Sequence, residues 1–327
     1  MTLVDAPTPA RPPSTGRDRG TVGRRLGRVV AVGSTAGLSG VAYGWLEARW
    51  FRTRHVTVPV LAPGSTPLRV LHLTDVHLTP YQNRKRAWLA SLADLQPDLV
   101  VSTGDSLSHR EAVTPFMEGL GDLRDVPGVF VLGSNDYYAP RRVNPARYLL
   151  PDDGSRRTGA RRLPFADLVA RLRAAGWTDL SNRRTTLTVR GLRIAVAGVD
   201  DPHMWYDDLE AVAGPADPDA DLRLGVSHAP YLRVLDQFAA DGYDMILAGH
   251  THGGQLCLPG GRALVTNCDI DRERASGLHR HPLGSQPGDP GSSWLHVSAG
   301  AGTSPYAVAR VCCRPEAVLL HLVPRDA

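Results

Sequence analysis

Continuous apolar runs alternate with amphipathic segments along most of the chain from Leu68 onward. The runs LRVLHLTD, DLVVSTGD and GVFVLG carry apolar side chains at successive positions, as strands buried on both faces of a sheet do. Between them, Arg84–Leu95 (RKRAWLASLADL) and a segment near Arg110–Leu123 have the apolar spacing of amphipathic helices. The alternation predicts an α/β domain in which helices flank β-sheets.

The second half of the chain is richer in predicted strands than in helices. TTLTVR and LRIAVAGV, joined at Gly191, predict a hairpin. Further strands are predicted at LRLGVSH, DMILAGH, QLCL, ALVT, WLHVSAG and AVLLHLV, and a helix at FADLVARLRAAG. The Arg-, Pro- and Gly-rich segment Arg141–Arg162 predicts a surface loop. Residues 52–67 are expected only to lead into the first strand.

The N-terminal residues have a different character. Residues 1–28, rich in Pro, Gly, Thr and Arg, predict a disordered basic tail. The uncharged run Val29–Leu46 follows and is about 18 residues long, near the lower limit for a membrane-spanning helix. The twin arginine Arg24-Arg25 precedes this weakly apolar run, so residues 29–48 predict a membrane anchor or a Tat-type signal helix. A helix packed on the domain surface is the alternative.

Charge supports a membrane-flanking tail more than a nucleic-acid interface. The formal net charge is +4, and residues 11–28 contain six arginines against one aspartate. No nucleic-acid partner is therefore expected. By the positive-inside rule the arginine tail stays cytoplasmic, which predicts a membrane-associated protein with an extracytoplasmic catalytic domain. A peripheral cytoplasmic location is the alternative. The four cysteines show no Cys-x-x-Cys spacing, which argues against a zinc knuckle or a disulfide framework.

Polar side chains with metal-ligand chemistry recur where the predicted strands end. They are Asp75, His77, Asp105, Ser134 or Asn135, His228, His250 and His252. Loops at the carboxyl ends of strands are where α/β folds build their sites. Carboxylate, imidazole and amide ligands together suit borderline divalent metals such as Mn, Fe, Zn or Co. These ligands are too many for one ion but suffice for two if Asp105 bridges them.

The motifs that carry these residues resemble the calcineurin-like metallophosphoesterase family. They are Asp75-Val-His77, Gly104-Asp105, Gly133-Ser-Asn-Asp, Ser227-His228-Ala-Pro and Gly249-His250-Thr-His252-Gly-Gly-Gln, in family order between about Leu68 and Val323. SHAP, GHTHGGQ, GVDDPH and the segment beginning SAGAGTSP are similar to a narrower group, the bacterial membrane-associated phosphodiesterases that resemble UDP-diacylglucosamine pyrophosphatases. The family fold, two facing mixed β-sheets flanked by helices, is expected over residues 66–325, preceded here by an N-terminal apolar helix.

The resemblance implies a pair of divalent ions, Mn first, with Fe, Zn or Co as alternatives. The implied ligands are Asp75, His77 and His252 for one ion, Asn135, His228 and His250 for the other, and Asp105 for both. A water or hydroxide between the ions would attack phosphorus in line. The expected activity is that of a phosphodiesterase or pyrophosphatase on a membrane or envelope substrate, lipid-linked phosphoesters included. Cyclic-nucleotide phosphodiesterase and protein phosphatase stay open as alternatives.

The loop Gly133–Asp136 departs from the family pattern, which reads Gly-Asn-His-Asp or Gly-Asn-His-Glu. In an ungapped match Ser134 takes the place of the ligand asparagine, and Asn135 that of the histidine that protonates the leaving group. A one-residue slip keeps Asn135 as the ligand and puts Asp136 in place of the histidine. Asn135 is favoured as the ligand, because an amide carbonyl binds a divalent cation more readily than a hydroxyl does. The usual histidine acid is missing in either match.

Three residues are candidates for the functions that this loop no longer supplies. Asp136 would serve as the acid if burial or a neighbouring carboxylate raised its pKa. His109, in the loop after Asp105, and His203 in GVDDPH are further candidates for the acid, and His203 is also a candidate for substrate binding. Loss of an acid reduces the rate by roughly 10²- to 10⁴-fold but leaves a metal-bound nucleophile in place. A metal-binding pseudoenzyme acting as a scaffold is the competing hypothesis.

Overall fold

The computed structural model describes residues 39–142, 160–307 and 309–325. The chain divides into two compact units, Met1–Ala42 and Tyr43–Ala327. Residues 39–47 are helical, but no helix within the described ranges combines the length and apolar character needed to cross a bilayer. The predicted basic tail and the first half of the predicted membrane helix lie outside the described residues. The structure therefore gives the predicted N-terminal membrane helix no support.

Six strands form the first sheet. They are β1 (Arg52–Leu61), β2 (Leu68–Leu73), β3 (Leu99–Ser102), β4 (Gly128–Phe130), β5 (Thr178–Asp179) and β12 (Glu316–Pro324). Their order is β1-β12-β2-β3-β4-β5. The strands β2 to β5 run parallel, whereas β12 is parallel to β1 and antiparallel to β2. The sheet is mixed, with a parallel block at its centre.

The second sheet has the same strand count and a similar plan. Its strands are β6 (Arg183–Val189), β7 (Leu192–Gly198), β8 (Leu222–Val226), β9 (Met245–Ala248), β10 (Gly277–His281) and β11 (Ser293–Val297). Their order is β10-β11-β9-β8-β7-β6. The strands β7, β8, β9 and β11 are parallel, and the edge strands β6 and β10 are antiparallel to their neighbours. The predicted hairpin around Gly191 is the pair β6–β7.

Helices cover the outer faces of both sheets. They are α1 (Asn83–Ser91), α2 (Val113–Leu120), α4 (Phe165–Ala174) and α5 (Leu232–Ala240), whereas the single turn α3 (Ser134–Tyr137) lies in the loop after β4. One buried apolar cluster joins the inner faces of the two sheets, a second joins the first sheet to α1, α2 and α4, and a third joins the second sheet to α5. The predicted α/β fold of two mixed sheets flanked by helices is confirmed.

Three local predictions differ from the structure. The runs QLCL and ALVT were expected to be strands, but they make only isolated bridges, Leu256 with Val311 and Cys257 with Ala263. Each run is short, and Pro259-Gly260-Gly261 turns the chain between them, so neither aligns with a sheet edge. The segment 52–67 was expected to be a connector, yet its first part is the ten-residue strand β1. Every second side chain in the second half of β1 faces the core, but the charged residues of its first half obscure this alternation in the sequence.

The carboxyl ends of six parallel strands supply the loops that carry the predicted ligands and, after β7, the candidate His203. In the first sheet β2, β3 and β4 are followed by the segments 74–77, 103–105 and 133–136, and in the second sheet β7, β8 and β9 are followed by 199–203, 227–228 and 249–252. The two sheets face each other across a shared core. The site is therefore built where the ends of both parallel blocks meet.

Candidate metal centre

The backbone of the strand-end loops is unusually strained. Five predicted ligands adopt left-handed φ angles, which non-glycine residues rarely do. They are Asp75 (φ 50°), His77 (φ 46°), Asp105 (φ 54°), His250 (φ 69°) and His252 (φ 51°). Such conformations cost on the order of 1–3 kcal/mol each and persist where the surroundings impose them, which is typical of functional sites. The chain turns sharply at each of these positions, so that the side chains point back over the strand ends.

One group of side chains has the geometry to hold a metal ion, namely Asp75, His77 and His252. Each offers one ligand atom, and these atoms all lie within 4.8 Å of one another. The Nε2 atoms of the two imidazoles are 3.2 Å apart, and Nε2 of His252 is 3.7 Å from Oδ1 of Asp75. The first implied ligand set is thus brought together.

A second group consists of Asp75, Asp105 and His228, with the same 4.8 Å limit between ligand atoms. Asp105 lies between the pair His77 and His252 and the pair His228 and His250. Its Oδ2 is 3.4 Å from Nε2 of His77, and its Oδ1 is 3.6 Å from Nε2 of His228. Nδ1 of His250 approaches Nε2 of His228 to 3.2 Å. Each carboxylate oxygen of Asp105 therefore faces a different half of the cluster, as a bridging ligand must.

Hydrogen bonds outside the cluster orient two of the imidazoles. Nδ1 of His228 donates to the carbonyl of Thr103 at 2.7 Å, and Nδ1 of His252 donates to the carbonyl of Gly302 at 3.1 Å. A ring that donates from Nδ1 in its neutral form carries its lone pair on Nε2. Both lone pairs are consequently directed into the cluster, the arrangement that metal-binding histidines share.

The donor set fits a divalent cation. Oδ1 of Asp75 is buried and, within the described part of the chain, has no hydrogen-bond partner. An unpaired carboxylate oxygen beside converging imidazole lone pairs is costly unless a cation accepts them. Carboxylate and imidazole ligands together are typical of Mn, Fe, Zn or Co sites. The residues that would hold an ion are those of the strand-end cluster: Asp75, His77, Asp105, His228, His250 and His252.

Burial and charge move the pKa values of this cluster in opposite directions. Burial raises the pKa of Asp75 to about 6 and that of Asp201 to about 7. Burial by itself would lower the pKa of His228, but the carboxylates of Asp105, Asp201 and Asp75 outweigh it and raise the value to about 9. Burial also lowers the pKa of His250. Without an ion the cluster thus retains protons that metal binding would displace.

The loop Gly133–Asp136 lies directly against Asp105. The backbone N–H of Asn135 donates to Oδ1 of Asp105 at 2.7 Å, and its side-chain amide donates to Oδ2 at 2.5 Å. Ser134 is buried beside it, with Oγ 3.4 Å from the Asn135 amide nitrogen. A Cβ at Gly133 would lie 2.4 Å from Oδ1 of Asp105, so only glycine fits there. Of the two candidate ligands, Asn135 is the one whose side chain contacts the predicted bridge.

Asp136 occupies a structural position in the same loop. One carboxylate oxygen accepts from the N–H groups of Ser106 (2.8 Å) and Leu107 (3.2 Å), and the other accepts from that of Gly133 (3.0 Å). Burial is the main cause that raises the pKa of Asp136, to about 7. The side chain ties the loop after β3 to the loop after β4. These contacts hold Asn135 against Asp105, and they do not aim the carboxyl group at a leaving group.

The two remaining candidate histidines lie on different sides of the cluster. The ring of His203 is 4.5 Å from that of His250 between centroids, and its Nδ1 is 3.0 Å from the hydroxyl of Tyr231. His109 lines a cleft of about 200 Å³, and its Nδ1 accepts from the N–H of Glu111 at 3.1 Å. His203 therefore adjoins a predicted ligand directly, which His109 is not observed to do.

Sequence reasoning missed two buried charged residues at the site. Asp201 is fully buried, and its Oδ2 has no hydrogen-bond partner among the described residues. Its position after the end of β7 was the signal that would have found it. Arg310 is also fully buried, and its guanidinium donates to the carbonyls of Ala299 (2.7 Å) and Gly302 (2.6 Å). No periodicity marks Arg310, which lies in an irregular segment and supports the carbonyl that orients His252.

Two solved structures of low sequence identity superpose on part of this chain. The TT1561 protein of Thermus thermophilus is 13% identical and superposes over 72% of this chain and 92% of its own, with a TM-score of 0.40. The purple acid phosphatase PPD1 of yellow lupin is 12% identical over 76% of this chain and 46% of its own, with a TM-score of 0.44.

Several curated proteins are similar in sequence. The phosphodiesterase YaeI of Escherichia coli is 24% identical over 310 residues, which are 92% of this chain and 100% of that protein. A metallophosphoesterase of Aquifex aeolicus is 25% identical over 293 residues, 86% of this chain and 95% of its own. The YpbG protein of Bacillus subtilis is 29% identical over 196 residues, so that this chain spans just under two thirds (64%) of its length.

The family profile covers the part of the chain that builds the cluster. The profile of the calcineurin-like phosphoesterases matches residues 68–254, from the start of β2 to the loop after β9. That range holds all six residues of the strand-end cluster and Asn135. Together with the two-sheet fold, this match shows that the chain belongs to the calcineurin-like phosphoesterases, which are metal-dependent hydrolases of phosphoric esters.

Proposed function

We propose that the protein hydrolyses phosphodiester or pyrophosphate bonds with two divalent ions, Mn²⁺ first among them, held by the strand-end cluster and Asn135. The observation that carries this proposal is the position of Asp105. Its two oxygens lie 3.4 Å from His77 and 3.6 Å from His228, one toward each half of the cluster. A carboxylate between two sets of imidazoles is the arrangement that a pair of ions needs.

The chain's own residues have three tasks in this reaction. When bound, a metal pair supplies an activated water and neutralises charge on the phosphoryl oxygens. The carbonyls of Thr103 and Gly302 keep the lone pairs of His228 and His252 directed inward, and the Asn135 amide fixes the carboxylate of Asp105. The ring of His203 borders the cluster beside His250. It is the proposed contact to the substrate.

The altered loop limits the substrates that suit the enzyme. The family histidine has no counterpart at Ser134 or Asn135, and Asp136 is engaged by three backbone amides. A phosphate or a phenolate departs without protonation, whereas an alkoxide needs a proton. The proposed substrates are therefore phosphoesters whose leaving group is a weak base, such as pyrophosphates and aryl diesters.

A substrate at the membrane is the further part of the proposal. It rests on the uncharged run Val29–Leu46, which follows an arginine-rich tail. If that run anchors the chain, the positive-inside rule leaves the arginines in the cytoplasm and the catalytic unit outside. A lipid-linked phosphoester is then the accessible substrate class. A reporter fused after Ala327 would test the orientation, because only an extracytoplasmic C-terminus activates an export-dependent reporter.

Metal content and turnover test the core of the proposal together. The full-length protein, loaded with Mn²⁺, is analysed for bound metal and assayed with bis(p-nitrophenyl) phosphate. We expect two ions per chain and turnover that EDTA abolishes and Mn²⁺ restores. Bound metal without turnover on the diester or on a nucleotide-diphospho lipid would favour the scaffold alternative. One ion per chain in a fully active enzyme would refute the dinuclear centre.

A further inference from the structure

An open cleft of about 830 Å³ adjoins the loop that carries His252, since Sγ of its lining residue Cys313 is 3.2 Å from the His252 carbonyl. Four arginines line it, Arg52 and Arg54 from β1 and Arg262 and Arg272 from the segment between β9 and β10. None of the predicted metal ligands is among its lining residues. We call it the arginine cleft. Its volume is sufficient for a ligand of small-molecule size, since ligand pockets are typically about 300–1,000 Å³.

The charges of the cleft are only partly compensated. Arg52 and Arg54 share the single carboxylate of Glu316, at 2.6 Å and 3.4 Å. Arg262 is 3.8 Å from Glu273, and both side chains are largely exposed. Arg272 has no acidic partner in the described ranges. With Glu47, whose carboxylate accepts from the N–H groups of Cys312 and Cys313, the four guanidinium groups face three carboxylates, which leaves a formal excess of one positive charge.

A buried carboxylate holds Arg52 in position at the cleft. Glu316 is fully buried and takes a bidentate contact from Arg52, whose Nε and NH2 lie 3.0 Å and 2.6 Å from the same oxygen. The other oxygen of Glu316 accepts from the N–H of Ala299 at 3.3 Å. A guanidinium held in place loses little conformational entropy when it binds an anion. Planar guanidinium groups are well suited to the oxygens of a phosphate group.

The cleft is also next to an exposed aromatic surface. The carboxylate of Glu47 accepts from the N–H of Cys312, a lining residue of the cleft, at 3.1 Å. Nearby, Trp50 is 57% exposed and carries the Arg314 guanidinium 4.0 Å above its ring. Trp45 is likewise exposed. Exposed tryptophans beside arginines are typical of segments at a lipid headgroup surface.

We propose that the arginine cleft binds a phosphate-bearing anion, at a site separate from the metal centre. The shared chemistry is a phosphate group with two or more negative charges, and its source is either a lipid headgroup or a soluble phosphate compound. Recognition comes from Arg262 and Arg272, whose side chains are exposed, and from Arg52, which is held by Glu316. The proposal does not depend on the catalytic activity of the metal centre.

Binding of inorganic pyrophosphate to the full-length protein in EDTA tests the proposal by calorimetry. The variant Arg262→Ala/Arg272→Ala is compared with the charge-matched control Arg171→Ala/Arg190→Ala, whose arginines are exposed and pair with Asp167 and Asp98 outside the cleft. We expect affinity to fall about tenfold or more in the cleft variant and to stay within about twofold of wild type in the control. Equal affinity in the two variants would overturn the proposal.

A second variant separates this site from the metal centre. Asp105→Asn, which alters the predicted bridge, should bind pyrophosphate in EDTA as the wild type does. Loss of binding in Asp105→Asn, with binding retained in the cleft variant, would assign the anion to the metal centre and refute a separate site. Failure of the proposed hydrolysis would leave the calorimetric result unchanged, so the two proposals fail independently.

Vesicle binding identifies the source of the phosphate group. Sedimentation with phosphatidylglycerol vesicles is compared with sedimentation with phosphatidylcholine vesicles. The proteins compared are the wild type, the cleft variant and the control variant. A lipid source predicts that the cleft variant binds the anionic vesicles less than the control does, and that pyrophosphate competes. A soluble source predicts equal vesicle binding in the cleft and control variants, while the difference in pyrophosphate affinity remains.

Discussion

The Nε2 atoms of His77 and His252 lie 3.2 Å apart, although the two residues are separated by 175 positions in the chain. One follows a strand of the first sheet and the other a strand of the second. Because Nδ1 of His252 donates to the Gly302 carbonyl, its Nε2 lone pair points at the other ring. Two imidazole nitrogens at this distance, with Oδ2 of Asp105 3.4 Å from one of them, are stable together when a proton or a cation lies between them.

Removal of the bridge should cost both ions. Asp105→Ala takes away the carboxylate that faces His77 on one side and His228 on the other. We expect elemental analysis to find neither ion, and kcat/KM to fall by more than the ~10–100-fold that loss of an outer-shell partner costs. His252→Ala should lower the content of one ion more than the other. Two ions retained in Asp105→Ala, with Arg171→Ala as the folding control, would rule out the bridge.

The Asp136 side chain should stabilise the loop and should not donate a proton to the leaving group. Asp136→Asn keeps one acceptor oxygen for three backbone donors, so we expect a loss of about 1–3 kcal/mol in the free energy of unfolding. Because the weakened loop no longer holds Asn135 against Asp105, kcat should fall by a similar factor for aryl and alkyl leaving groups. A decrease confined to alkyl leaving groups would instead identify Asp136 as the acid.

Most of the centre was predictable from local sequence, because its residues follow buried strands directly. Asp75, Asp105 and His228 each come within a few positions of a continuous apolar run, and parallel strands bring such ends to one edge. Asp201 also follows a strand, and its position pointed to the site, but only the fold shows that Asp201 is fully buried and Asp200 is not. Arg310 was not predictable, since its role depends on carbonyls at Ala299 and Gly302 that only the folded chain assembles.

The strand predictions show the same limit at the level of the fold. Runs of apolar residues identified β2, β3, β8 and β9 because burial on both faces leaves few polar positions in them. The strand β1 was not predicted, because it lies at a sheet edge and carries arginines near its start. QLCL and ALVT are apolar for another reason: Cys257 and Ala263 pack in a small cluster under the loop that carries His252. Apolar character alone does not separate these two cases.

Lys85 gives stability a distinct pH dependence. Burial, aided by Arg310 and Arg49, lowers the pKa of Lys85 to about 7, and its Nζ donates to the carbonyl of Val76 at 2.6 Å. Between pH 7 and about 10 the unfolded chain binds a proton at this lysine that the folded chain does not. The free energy of unfolding contributed by this group therefore rises with pH in that window.

A comparison with Lys85→Met measures this contribution. We expect the Tm of the wild type to rise relative to that of Lys85→Met as the pH increases from 7 to 10, with both proteins in the same metal-loaded state. The variant keeps the length of the side chain and removes the charge, so that other titrating groups cancel in the difference. A Tm difference that is constant with pH would show that Lys85 has the same protonation state in the folded and the unfolded chain.

His203 is expected to affect substrate binding more than metal content. Its ring lies 4.5 Å from that of His250 and its Nδ1 is 3.0 Å from the Tyr231 hydroxyl. His203→Ala should raise KM while both ions are retained, and Tyr231→Phe, which removes only the hydroxyl, should give a smaller effect in the same direction. An unchanged KM accompanied by loss of an ion would make His203 a support of His250 and remove it from the substrate site.

The missing histidine should be visible in the dependence of rate on the leaving group. Because neither Ser134 nor Asn135 can donate a proton as an imidazolium does, log kcat/KM should fall steeply as leaving-group pKa rises across an aryl phosphodiester series. Asn135→His should then reduce metal content, since the native amide lies 2.5 Å from the bridging carboxylate and a ring would crowd it. Retained metal with a flatter slope in Asn135→His would place residue 135 at the proton donor's position. A flat slope in the wild type, with chemistry rate-limiting, would mean that His109, Asp136 or His203 supplies the proton.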